Sequence, residues 1–185
     1  MPSKSLAAEP TVNSSHALAA GRWAGLAAWA VALIGAATLA GAWIFEFGFD
    51  IKPCPLCLEQ RYGYYLATPL ALMLALAAGR VSPIWLRAGL VVVALMMLGS
   101  AGLGGYHAGV EWGFWKGPAG CSGQALNFGS AGSLLEQLDK VKVIACDEVQ
   151  WRFLGLSLAG YNVLISLGMA TIAGFGAWRA RPRAS

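Results

Sequence analysis

Ala88-Gly-Leu-Val-Val-Val-Ala-Leu-Met-Met-Leu-Gly-Ser-Ala-Gly-Leu-Gly-Gly-Tyr-His-Ala-Gly-Val110 contains no Asp, Glu, Lys or Arg. A helix of this length matches the roughly 30 Å hydrocarbon core of a bilayer. Trp23–Phe45, Tyr62–Gly79 and Phe153–Trp178 are likewise free of these four residue types. The pattern predicts an all-α membrane protein, a four-transmembrane-helix bundle with helices at about 23–45, 58–79, 86–108 and 153–178. Residues 23–178 form the membrane domain, with a disordered tail expected over 1–22 and a short one over 179–185.

Composition agrees with this class. Of 185 residues, 57% are hydrophobic and 12% charged, against roughly 25% charged in soluble domains. The net charge of +4 does not point to nucleic acid, because the charges sort by side. With the N-terminus inside, Lys4, Arg22, Arg80, Arg87, Arg179, Arg181 and Arg183 face one inner acid, Glu9, for a balance of +6, and the outer segments sum to −2. Short, arginine-dense inner loops place both termini in the cytoplasm. The first apolar run exceeds the roughly 7–15 residues of a signal h-region, so it reads as a span.

Two outer loops follow, about 46–57 and 109–152, the second long and lying between helices 3 and 4. Long loops concentrate function. Leu134, Leu135, Leu138, Val141 and Ile144 recur near helical spacing in it, compatible with a surface amphipathic helix or a segment packed on the loop. The Gly99–Gly105 patch, and Ser157, Gly160, Asn162, Ser166, Gly168 and Thr171 in the last span, read as close-packing residues with Asn162 the exception.

Cys54, Cys57, Cys121 and Cys146 all fall on the outer side, where disulfides persist. Pro55 suits the first position of a helix, making Cys54 the N-cap and Cys57 the N3 residue. Unpaired N–H groups and the dipole then favour a thiolate at Cys57, with Arg61 one turn on. On position alone, Arg61 serves equally as an interfacial arginine snorkelling to headgroups. A Cys-x-x-Cys is redox-active, metal-binding or structural, and no His follows Cys57 to allow covalent haem attachment. Cys121, flanked by Gly117-Pro-Ala-Gly120 and Ser122-Gly123, is expected on an exposed, mobile segment; Cys146 sits just before helix 4. One fixed pair and one mobile pair suit thiol–disulfide exchange, while two structural disulfides or a four-cysteine metal site also fit. His107 alone reads as an interfacial packing residue, and Glu111, Trp112, Phe114 and Trp115 as an interfacial belt.

Four spans, Lys52-Pro-Cys-Pro-Leu-Cys-Leu-Glu-Gln-Arg61, Tyr106-His-Ala-Gly-Val-Glu111, Gly117-Pro-Ala-Gly-Cys121 and Cys146-Asp147 together resemble the bacterial disulfide bond formation protein B (DsbB) family over about residues 23–178. The resemblance implies a quinone-reducing protein-disulfide oxidoreductase of the inner (cytoplasmic) membrane. It would reoxidise a periplasmic DsbA-like thioredoxin-fold protein and pass electrons to ubiquinone or menaquinone in the membrane pool. It implies catalytic roles for Cys54, Cys57, Cys121 and Cys146: Cys121 accepts the partner's thiolate, Cys146 resolves it or links transiently to Cys54, and Cys57 delivers electrons to quinone. Arg61 and His107 are implied at the quinone, with no resident metal. Gln60 departs from the glutamate of the best-known members. The competing reading is a non-enzymatic membrane scaffold with structural disulfides or a four-cysteine metal site. A reductase running the opposite way needs a cytoplasmic electron source, and no cysteine lies on that side.

Overall fold

The computed structural model describes residues 12–118, 121 and 145–181. Four helices form its frame: α1 (Val12–Trp43), α2 (Pro55–Ala77), α3 (Pro83–Glu111) and α4 (Leu158–Arg179). Each packs chiefly against two neighbours, so the helices run round the bundle in sequence order and α4 closes against α1. Three of them are long and apolar enough to cross a membrane. The exception, α2, has 23 residues, which at ~1.5 Å each is still long enough to span. Its apolar character is diluted by Tyr62, Tyr64, Tyr65, Thr68 and Pro69, and part of that polarity turns inward.

The core is built from small residues at alternating three- and four-residue steps. Tyr64, Ala67, Ala71 and Ala75 of α2 meet Leu86, Leu90, Val93 and Met97 of α3, with Ala24, Ala28 and Val31 of α1 and Met169, Ala173 and Ala177 of α4. In lipid, apolar surface gains little by leaving one oily environment for another, so helices are held by close contact between small side chains. A Cβ on Gly176 would fall 2.5 Å from that of Ala27, which fixes how closely α4 approaches α1. Within the Gly99–Gly105 patch only Gly104 has this role: a Cβ there would meet Asn162 Nδ2 at 2.8 Å, whereas Gly99, Gly102 and Gly105 face open space. The large exposed side chains, among them Leu33, Leu66, Met73, Leu95 and Leu164, cover the outside of the bundle.

Several boundaries differ from the sequence expectation. α1 starts at Val12, inside the stretch expected to be a disordered tail; Ala17, Ala19 and Ala20 are strong helix formers with no Pro among them. Its far end widens into a π-helical turn, Ile44–Gly48, which carries Glu46. The chain is not purely helical. Arg152–Phe153 and Leu156–Ser157 pair as a small antiparallel hairpin (β1 and β2), with Arg152 opposite Ser157. Its two turn residues, Leu154 and Gly155, both have positive φ, 49° and 82°, as a tight primed turn requires. α4 therefore begins at Leu158, not 153, and Ser157 caps it by accepting the Gly160 N–H at 3.2 Å. The amphipathic segment expected around Leu134–Ile144 lies outside the described residues.

Candidate functional site

Pro55 opens α2, and the geometry there follows from it. Cys54 is the N-cap, with extended backbone, and its sulfur accepts the backbone N–H of Cys57 at 3.3 Å. The two sulfurs lie 3.0 Å apart as free thiols sharing a hydrogen bond. Cys54 Sγ also lies 3.6 Å from His107 Nε2, which α3 brings across from far along the chain.

This arrangement reverses the expected characters of the pair. Cys54, ahead of the helix, is the group held as thiolate. Its pKa is lowered to about 5, first by the hydrogen bond from the Cys57 side chain, with burial opposing and His107 and the Cys57 N–H assisting. Cys57, in the first turn ahead of the uncharged span from Tyr62, is pushed up by the anionic neighbour and by burial, so it keeps its proton. The start of α2 presents free N–H groups to an anion. The first occupant there is the capping sulfur, because that atom points at the free N–H groups.

The second pair is close by. Cys121 and Cys146 form a disulfide with Cα atoms 5.1 Å apart, and the Cys146 N–H donates to the Cys121 carbonyl at 3.0 Å. Both are almost completely buried, in one cluster with Cys54, Leu56 and Val110, against which Cys57 and Leu103 pack. The expectation of an exposed Cys121 is therefore corrected: apolar neighbours enclose the disulfide despite the glycines around it. With Cys121 and Cys146 joined, only two of four cysteines remain as thiols, and a four-thiolate metal site is not formed here. The donor atoms of Cys54, Cys57 and His107 do lie within 4.8 Å of one another, a set able to approach a thiophilic cation.

Beside the thiols opens a cavity of about 390 Å³ between α1, α2 and α4. Phe45, Trp151, Phe153 and Tyr161 give it aromatic walls, and Cys54, Cys57, Arg61 and His107 all reach it. Trp151 is the hub of these rings, 5.1 Å from Phe45 and stacked on Phe153 at 5.8 Å. Arg61 is not a free snorkelling side chain: it pairs with Glu46 on the π-helical turn, both mostly buried. Neutralisation by Glu46 lets Arg61 line a largely apolar space.

A polar network backs one part of this lining, and sequence reasoning mostly missed it. Gln60 Nε2 lies 2.7 Å from His107 Nδ1, Asn162 donates to Gln60 Oε1 at 2.6 Å, and Tyr64 donates to Asn162 at 2.7 Å. Ser166 and Ser100 extend the network. Glu111, expected in an interfacial belt, instead has a side chain only 6% exposed, 3.9 Å from His107 Nε2, and its Oε2 has no partner among the described residues. Its signal was present as the i,i+4 spacing from His107. Trp112, Phe114 and Trp115 are exposed as an interfacial belt requires, Trp115 stacking on Tyr106.

A bundle of apolar helices enclosing a dithiol, a disulfide and an apolar cavity defines a membrane thiol–disulfide redox protein. The chain belongs to the family described as disulfide bond formation protein DsbB, whose model matches residues 23–176. It is similar to disulfide bond formation protein B of Methylococcus capsulatus, 31% identical over 78% of this chain and 88% of the relative. It is also similar to the protein of that name from Marinobacter nauticus, 32% identical over 75% and 86%, and to that of Hahella chejuensis, 30% identical over 77% and 86%. No solved structure matches the chain. Membership makes this a disulfide-forming oxidoreductase.

Proposed function

We propose that this protein moves two electrons from a periplasmic DsbA-like thioredoxin-fold dithiol protein, through Cys121–Cys146 and then Cys54–Cys57, to quinone in the inner membrane. Both termini are then cytoplasmic, the active face is periplasmic, and the lipid-dissolved pool supplies ubiquinone or menaquinone. The observation that carries the reading is a buried disulfide packed against a dithiol whose two cysteines line a cavity with aromatic walls.

The exchange steps balance. A partner thiolate attacks Cys121, breaking Cys121–Cys146 and forming a mixed disulfide; the partner's second thiolate releases Cys121 and leaves as the oxidised protein. Cys146 thiolate attacks Cys54 of an oxidised inner pair, forming Cys146–Cys54 and expelling Cys57 as thiolate. Cys121 then attacks Cys146, restoring the outer disulfide and freeing Cys54. The result is the state seen here, outer pair oxidised and inner pair reduced. The switch in thiolate identity has a cause: once Cys54 is in a disulfide it carries no charge, and the anionic neighbour that kept Cys57 protonated is gone.

The cavity suits a quinone ring. Its volume lies in the roughly 300–1,000 Å³ range of small-molecule sites, aromatic rings form part of its walls, and Arg61 supplies a hydrogen-bond donor toward a carbonyl oxygen, with His107 on the same lining. When bound, quinone supplies a two-electron, two-proton acceptor. Around it, Arg61 fixes a positive charge held by Glu46, His107 faces the Cys54 sulfur, and the aromatic walls exclude water. The test is anaerobic: purified protein, reduced thioredoxin-like partner and soluble quinone. Quinol is expected in proportion to partner oxidised, and Cys57→Ser abolishes it. Full-rate quinol formation by Cys57→Ser, or none by the unaltered protein, defeats the reading.

A further inference from the structure

His107 faces the reactive sulfur through one ring nitrogen, and the other nitrogen is held by a hydrogen-bond chain with a fixed direction. The chain starts at a group that can only accept: the Ser100 carbonyl, which takes Asn162 Nδ2 at 3.4 Å. The Asn162 amide must therefore present its NH2 on that side, and the same NH2 donates to Gln60 Oε1 at 2.6 Å. Its Oδ1, on the opposite side, accepts from Tyr64 at 2.7 Å. Gln60 has one acceptor end and one donor end. With Oε1 committed to Asn162, only its NH2 remains to face His107 Nδ1, 2.7 Å away. Nδ1 is then the lone-pair nitrogen, and the neutral ring carries its proton on Nε2, 3.6 Å from Cys54 Sγ.

We propose that Gln60 and Asn162 are positioning residues that lock His107 in the Nε2–H tautomer, making it a hydrogen-bond donor to the Cys54 sulfur and not a base or a metal ligand toward it. The proposal stands on the dithiol alone, whatever oxidant takes its electrons. Gly104 belongs to the device, since its missing side chain leaves room for the Asn162 amide. The ionisable groups facing His107 are Cys54 and Cys57 from the start of α2 and Glu111 from its own helix. With Cys54 as thiolate, Nε2–H is directed to the anion. With Cys54 in a disulfide, Glu111 Oε1, 3.9 Å from the same nitrogen, is one alternative partner. The device would also disfavour metal ligation by the Cys54, Cys57 and His107 set, because ligation through Nε2 needs the lone pair the chain places on Nδ1. A glutamate at position 60 would reverse the arrangement, because a carboxylate accepts and would draw a proton onto Nδ1.

The chain has two histidines, so His16→Gln leaves His107 as the only imidazole signal. In full-length, histidine-¹⁵N-labelled protein in detergent, with the inner pair reduced, NMR is expected to show a pyrrole-type Nε2 and a pyridine-type Nδ1. Gln60→Glu is expected to convert Nδ1 to the protonated type. A protonated Nδ1 with bare Nε2 in the parent protein, or a tautomer indifferent to Gln60→Glu, overturns the proposal. As a second readout, Gln60→Leu should move the midpoint of the Cys54 alkylation profile upward by about one pH unit through loss of the oriented donor; an unchanged midpoint contradicts it. Should that variant fail to fold, the parent spectrum decides alone.

Discussion

Replacing Cys57 by Ala removes the first cause of the low Cys54 pKa while leaving the capping N–H in place. In the parent protein that pKa is about 5, against 9.0 for an ordinary cysteine. At pH 6 about 90% of Cys54 is then thiolate, against about 0.1% of an ordinary thiol, a ratio of roughly 900. Intrinsic nucleophilicity falls with basicity, and a Brønsted slope of about 0.4–0.5 over four pH units costs roughly 40- to 100-fold. Cys54 should therefore react about ten times faster than an ordinary thiol of equal access at pH 6. Its burial lowers the absolute rate, so the midpoint of the pH profile is the proper readout. The assay is peptide-resolved alkylation of protein with the outer disulfide intact and the inner pair reduced. The expected midpoint is about 5, moving at least about one pH unit higher in Cys57→Ala. A parent midpoint near 9, or Cys57 titrating below Cys54, would refute the assignment of the thiolate to the capping sulfur.

Other consequences follow from the same contacts. Because the folded pKa of Cys54 is depressed, the unfolded chain binds the extra proton between about pH 5 and 9. The stabilisation is complete above that window and is lost as pH falls through it. The Tm of the reduced protein should accordingly drop more between pH 8 and 5 than that of Cys54→Ser, and equal drops would contradict this. Arg61 and Glu46 form a mostly buried pair, so a double-mutant cycle of Arg61→Met and Glu46→Gln should give a coupling of about 1–3 kcal/mol in thermal or denaturant unfolding; a coupling near zero denies the pair. Gly104→Ala places a Cβ 2.8 Å from Asn162 Nδ2 and should cost about 1–3 kcal/mol, whereas Gly102→Ala, facing open space, should be neutral by the same unfolding measurement.

How much of this was legible depended on whether a signal is local. The span of α3 needs only an uncharged run of sufficient length, and the cap of α2 needs only Pro55 beside two cysteines, so both were readable. The π-helical turn that aims Glu46 at Arg61 has no local sequence marker. The hairpin before α4 turns on Leu154-Gly155, where left-handed backbone is ordinarily flagged by Asn-Gly or Asp-Gly, and the apolar run hid it. Gln60 and Asn162 are 102 residues apart in sequence; singly, Gln60 looks like a departure from the family pattern and Asn162 like an exception among packing residues, and only the bundle shows that they satisfy each other. Cys121 was misjudged for a related reason. Its glycine-rich flanks describe the freedom of the chain, whereas its burial is decided by Leu56 and Val110 from other elements.

The relay itself is tested most directly without quinone. Fully oxidised protein is mixed with one equivalent of reduced thioredoxin-like partner, quenched by alkylation, and each cysteine is assigned by mass. The account predicts that the two electrons come to rest on Cys54 and Cys57 with Cys121–Cys146 re-formed. Thiols remaining at Cys121 and Cys146, with the inner pair still oxidised, would contradict it.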